Sequence, residues 1–170
     1  MPTSYREATP DDLHGICTLG MQVNVLHHET FPQLFAPPAD PLRDAAHWAS
    51  SIAQPAATSF VAEHSPGHLA GFVTVAVVDE THSLMQPMRF ARVGTLGVTP
   101  EWRGHGIGRA LMEHAQEWAA ARGALELRLN VWAFNDTAQN LYRELGYELR
   151  LLTLAKPLRD PLPGAALLPA

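Results

Sequence analysis

The stretch 88–122 restricts the fold more than any other. A strand is expected over 88–98, ended by Pro100, and an amphipathic segment opens at Ile107. Between them a loop carries Arg103, Gly104, Gly106 and Gly108. Ile107, Ala110, Leu111, His114, Ala115 and Trp118 recur three and four residues apart, which predicts a helix over 107–122 with one apolar face. Gly123 then serves as its C-cap. Strand, glycine loop and helix therefore follow one another directly. Glycine lets backbone N–H groups approach a ligand without an intervening side chain. The first turn of a helix offers unpaired donors and a partial positive charge. With Arg103 as an added cation, the segment is suited to a pyrophosphate. It is not a P-loop, because no Gly-Lys-Ser/Thr follows. It is not the dinucleotide fingerprint either, because Leu111 stands where the last glycine belongs. A tight turn that merely requires glycine is the structural alternative.

The remaining elements arrange themselves around this unit. A short strand is expected over 4–8. Thr9-Pro10-Asp11-Asp12 then reads as a helix start, with Thr9 as cap, Pro10 at the first position and two acids facing the positive end of the dipole. Leu13, Ile16, Cys17, Gly20 and Val23 continue it at helical spacing. Residues 27–41 hold Pro32, Pro37, Pro38 and Pro41 and are read as an irregular loop, followed by a short helix over 42–52. Ser65-Pro66-Gly67 separates strands over 58–63 and 69–78, which predicts a hairpin. Residues 79–87 form a polar connection. Leu125, Leu127, Leu129 and Val131 alternate with Glu126, Arg128 and Asn130, the pattern of a strand over 124–131. A helix over 135–145 buries Ala138, Leu141, Tyr142 and Leu145 and ends at Gly146. A last strand is expected over 147–154. The expected organisation is one domain over 1–157 and a Pro-rich tail over 158–170. Strands interleaved with helices indicate an α/β (α+β) class.

Composition removes several functional classes. A formal net charge of -5 argues against general nucleic-acid affinity and permits a cationic substrate. Cys17 is the only cysteine, so neither an internal disulfide nor a cysteine-based zinc site can form. No metal role is read into His27-His28-Glu29, because adjacent side chains diverge around a helix. The longest apolar run, 69–78, is too short to cross a membrane, and the first residues lack the basic start and apolar run of a signal peptide. The expectation is a cytoplasmic protein with no metal and with neither membrane nor nucleic acid as partner.

Arg103-x-x-Gly106-x-Gly108, placed after Leu96-x-Val98-x-Pro100, resembles the acetyl-CoA motif of the GNAT superfamily of N-acetyltransferases. Val131-x-x-x-Asn135-x-x-Ala138-x-x-Leu141-Tyr142-x-x-x-Gly146-Tyr147 is similar to the family's second half, in the expected order. The resemblance implies a single GNAT-like domain whose central mixed, mostly antiparallel sheet is flanked by helices. It implies acetyl-CoA as co-substrate and direct transfer to a primary amine of a small molecule or peptide, without a covalent enzyme intermediate. By position, Leu96, Gly97 and Val98 would contact the pantetheine arm, with an amide of Gly97 or Val98 facing the oxyanion. Arg103, Gly104, His105, Gly106, Ile107 and Gly108 would hold the pyrophosphate. Asn135 would touch coenzyme A, although it also reads as a helix N-cap. Tyr142 would lie near the thioester sulfur as general acid, although it also reads as a core tyrosine. A homodimer is expected from the family alone. The alternatives are a non-catalytic acyl-CoA-binding or sensor module of the same fold and an unrelated phosphate-binding α/β protein.

The resemblance assigns no base, because family members differ there and the stretch 92–98 carries no carboxylate. The candidates are His27, His28, Glu29, Glu80 and His82, with Glu29 taken as the base. Phe31, Phe35, Trp132 and Phe134 are candidates for an apolar acceptor pocket.

Overall fold

Strands with continuous buried runs form the centre of one sheet. In the computed structural model, which describes residues 3–52 and 54–158, its order is β1 (Ser4–Glu7), β2 (Ala57–Ser65), β3 (His68–Glu80), β4 (Met88–Val98) and β5 (Leu127–Arg128). The first three junctions are antiparallel, and β4 meets β5 in parallel. Gly67 turns the β2–β3 hairpin at φ 74°, a left-handed conformation that glycine adopts without steric cost.

Helices cover both faces. On one, Leu111, Met112, Ala115 and Trp118 of α3 (Ile107–Ala121) bury against Phe60, Val73, Val75, Ala91 and Val93. Tyr142 and Leu145, from α4 (Asp136–Glu144) and its C-cap, extend that layer. On the other face, Ile16, Cys17 and Leu19 of α1 (Leu13–Thr30) and Trp48 of α2 (Ala45–Ala49) pack on Val61 and Phe72. The Trp48 and Phe72 rings meet edge to face with centroids 5.3 Å apart. Asp12 ties the start of α1 to the sheet edge. Its carboxylate accepts from both Arg6 guanidinium nitrogens at 2.7 and 2.8 Å and from the Thr9 amide at 2.8 Å.

One irregularity in the sheet positions the site. Val73 faces Leu96 and Val75 faces Val93, so Gly94 and Thr95 of β4 lie opposite Thr74 alone. This is a β-bulge. The Thr74 hydroxyl accepts from the Thr95 amide at 3.0 Å. A Cβ on residue 94 would lie 2.7 Å from that hydroxyl, so glycine is required there. On its other edge β4 pairs with β5 only at Ala91 and Arg92.

The structure corrects three sequence expectations. α1 continues through His27 to Thr30, because no helix breaker precedes Pro32, and the Phe31 amide still donates to the His27 carbonyl. The strand expected over 124–131 shrinks to β5, since beyond the bulge β4 and residues 129–132 part to line a common cleft. The strand expected over 147–154 does not form. Leu149, Leu151, Leu152 and Leu154 are exposed, and Arg150 ties the segment to Glu126 by an ion pair of 2.9 Å. Of the tail expected over 158–170, residues 159–170 lie outside the described residues.

Candidate active site

The cleft follows from the one-sided pairing of β4. Thr99 N–H donates to the Ala70 carbonyl, and successive residues of an antiparallel strand turn alternately to either side. The N–H and C=O groups of Leu96 and Val98 therefore turn away from β3, toward the unpaired edge. There the Val98 carbonyl accepts from Arg103 Nε at 3.1 Å. A cleft of about 730 Å³ runs along this edge, walled by α1, β4, the glycine loop, the start of α3, residues 129–132 and α4.

The loop is shaped by two left-handed glycines, Gly104 at φ 75° and Gly106 at φ 78°, the latter as N-cap of α3. A Cβ on either would meet no protein atom within 4 Å, so the space before them is open. At Gly108 a Cβ would lie 3.3 Å from Leu141, so this glycine lets α3 and α4 approach. Arg109 and Glu144 join the two helices beside the cleft at 2.7 Å. Asn135 caps α4, its side-chain oxygen accepting from the Ala138 amide at 3.1 Å. That bond leaves its amide nitrogen for a ligand. Tyr142 lines the cleft from α4, and burial raises its phenol above the ordinary value of 10.0, so it is protonated at neutral pH. Tyr147 packs beside it, likewise raised by burial.

The acetyltransferase (GNAT) family model matches residues 22–147. The chain belongs to that family. Streptothricin acetyltransferase of Streptomyces lavendulae is 38% identical over 89 residues, which are 52% of this chain and 43% of that protein. The chain spans less than half the length of the curated relatives it matches. A crystal structure of a mutant BH1408 protein from Bacillus halodurans shares the fold at TM-score 0.85, with 24% identity over 92% of this chain and 99% of that one. The aminoglycoside N-acetyltransferase AAC(6')-Iy in complex with CoA superposes at TM-score 0.67, with 17% identity over 91% and 99% of the two chains. This GNAT domain has a single five-stranded mixed sheet flanked by four helices.

The cleft gathers Leu96, Gly97, Val98, Arg103, Gly104, Gly106, Ile107, Gly108, Asn135 and Tyr142. His105 is exposed outside its lining, and its ring bonds the Arg103 carbonyl at 2.9 Å. Of the five base candidates, His27 alone reaches the cleft. Glu29 stands two residues further along α1, about 200° around the helix, and is exposed. His28 Nδ1 lies 2.8 Å from the Phe35 carbonyl oxygen. Glu80 and His82 bond within their own exposed connection, to the amides of His82 and Leu84. The four aromatics cluster with His27. Phe35 stacks on it at 4.8 Å, Phe134 meets it edge-on at 5.7 Å, and Phe31 contacts Trp132 and Phe134. Sequence reasoning missed Gln22, Val23 and Thr95 as cleft residues. The side-chain oxygen of Gln22 is buried with no partner, a vacancy that no local pattern signals. Among the described residues no three acidic, histidine or cysteine side chains group as metal ligands, and no helix is long and apolar enough to cross a membrane.

Proposed function

We propose that this GNAT domain transfers an acetyl group directly from acetyl-CoA to a primary amine of a small molecule or peptide. The observation that carries the reading is the unpaired edge of β4 running into the glycine loop, with Tyr142 across the cleft. The residues suit the co-substrate. Outward peptide groups of Leu96 and Val98 match the amides of an extended pantetheine arm, as a strand would. The unpaired Gln22 oxygen is an additional acceptor. The open space before Gly104 and Gly106, with the first N–H groups of α3, suits the pyrophosphate. Arg103 commits Nε to Val98 and keeps its terminal nitrogens for phosphate. The Asn135 amide nitrogen is a further donor.

Attack of the amine places negative charge on the carbonyl oxygen, which a backbone N–H of Val98 or Leu96 stabilises; the Gly97 amide expected from the resemblance faces β3 and is withdrawn from that role. A protonated phenol at Tyr142 supplies a proton to the departing thiolate. A cytoplasmic location, expected from the sequence, and a homodimer, expected from the family alone, belong to this reading; nucleic acid and membranes play no part in it. Isothermal titration with acetyl-CoA tests it, with micromolar binding expected, followed by thiol release on adding amines. Absence of binding at millimolar acetyl-CoA overturns the reading. Tight binding without turnover of any amine replaces it with a sensor module.

A further inference from the structure

A second, smaller cavity of about 240 Å³ lies between α1, α2 and β4. Val23, His27 and Thr95 line both this cavity and the large cleft, so the two spaces meet at these side chains. Thr95 belongs to the bulge, directly before the first outward amide of β4. An acetyl group carried along that edge would thus arrive where the side cavity opens. Phe35 and Trp48 give the cavity apolar walls, and Asp44 and His47 give it polar ones.

We infer that His27 is the general base of the proposed reaction and that a small primary ammonium ion reaches it through this side cavity. The inference rests on the transferase reading and extends it to a residue and an acceptor class. The His27 ring is held between Phe35 and Phe134, which fix its plane. Among the described residues its ring nitrogens have no hydrogen-bond partner, so one lone pair is available to the acceptor. Burial alone perturbs the imidazole, lowering its pKa from the ordinary 6.5. It is therefore neutral, and competent as a base, throughout the neutral range. The ionisable groups sharing its two cavities are Asp44 and His47 in the small one, with Arg103, Arg109, Asp136, Tyr142 and Glu144 along the large one. Asp44, ionised and held by Arg43 through both of its oxygens at 3.1 and 2.8 Å, is the acidic group of the side cavity.

The ammonium gives one proton to the imidazole, and the freed lone pair forms the C–N bond. As the C–S bond breaks, the thiolate takes the Tyr142 proton. The second proton of the nitrogen restores the phenol, and the imidazolium releases its proton to water. The balance is one amide, one thiol and one proton.

The test compares the parent protein with His27→Phe, which keeps a ring in the cluster and removes both nitrogens. With 1,4-diaminobutane as probe, kcat should fall about 100-fold or more, and the loss of rate below pH 6.5 assigned to the imidazole should disappear. Acetyl-CoA affinity should be unchanged. Hydroxylamine, unprotonated at neutral pH, should be acetylated at the parental rate. His27→Gln should repeat the pattern. Asp44→Asn should raise KM for 1,4-diaminobutane about fivefold at unchanged acetyl-CoA affinity. Parental rates in both His27 variants, or equal losses with diaminobutane and hydroxylamine, overturn the base role. An unchanged KM in Asp44→Asn overturns the side-cavity route. A parent protein that binds no acetyl-CoA overturns the transferase reading itself.

Discussion

The two edges of β4 behave as if they belonged to different proteins. Toward β3, β4 is paired from Met88 to Val98, and both faces of that pairing are buried by helices. Toward β5, it is paired at Ala91 and Arg92 and then released. The first edge supplies stability: Phe72, Val73 and Leu111 around it have no exposed surface. The second, beyond Arg92, has no strand partner, and its Val98 carbonyl accepts only from the Arg103 side chain. A buried sheet ordinarily satisfies every such group, and the proposed co-substrate would supply the strand partner that this edge lacks.

Substitutions can break this division from either side. Phe72→Ala, on the paired side, should lower stability by about 4 kcal/mol, read by chemical denaturation. A cost below about 1 kcal/mol would show that the paired half is not where stability resides. Tyr142→Phe, on the open side, should leave the melting temperature in place and lower kcat about 100-fold. An unchanged kcat removes the phenol from the acid role. Gly106→Val meets no protein atom but forces a branched residue to φ 78° in front of the cleft. Acetyl-CoA affinity should fall about tenfold or more, with about 1–2 kcal/mol of strain. Equal affinity would remove the loop from the binding site. The smallest effect concerns Asp12, whose carboxyl is held below its ordinary 3.8 by Arg6. A depressed carboxylate stabilises the fold fully above its ordinary value and loses that contribution as pH falls from there through its lowered value in the fold. Asp12→Asn should cost about 1 kcal/mol at neutral pH, and the difference should vanish in acid. A difference that persists in acid would show that the ion pair is not its source.

The paired half and the loop were legible in the sequence because their signals are local. The Ser65-Pro66-Gly67 turn, the apolar stretch 69–78 and the stop at Pro100 marked β2 to β4, helical spacing marked α3, and glycines marked the turn into it. The bulge was not legible, since it depends on Thr74 and Gly94 meeting across two strands. Everything downstream of the bulge inherited that gap. Residues 124–131 alternate as a strand should, and 147–154 are rich in leucine, yet such a pattern describes a face and does not supply a neighbour. The same limit applied to the base. Glu29 and His27 are equivalent in a string of letters, and only continuation of α1 to Thr30 turns one outward and the other into the cleft.

The bulge has one more consequence, which is a matter of parity. Ahead of it, the odd-numbered residues Ala91 and Val93 face α3. After it, the even-numbered Leu96 and Val98 join the same layer, while position 97 faces Val23 of α1 and Phe72. β4 is thus written in two phases, and its inserted residue moves the strand from one to the other. The apolar layer continues across this change of phase, while the outward peptide groups fall on Leu96 and Val98 instead of their neighbours. A strand in a single phase would put Thr95 and Gly97 into that layer in place of Leu96 and Val98 and present their amides to the cleft.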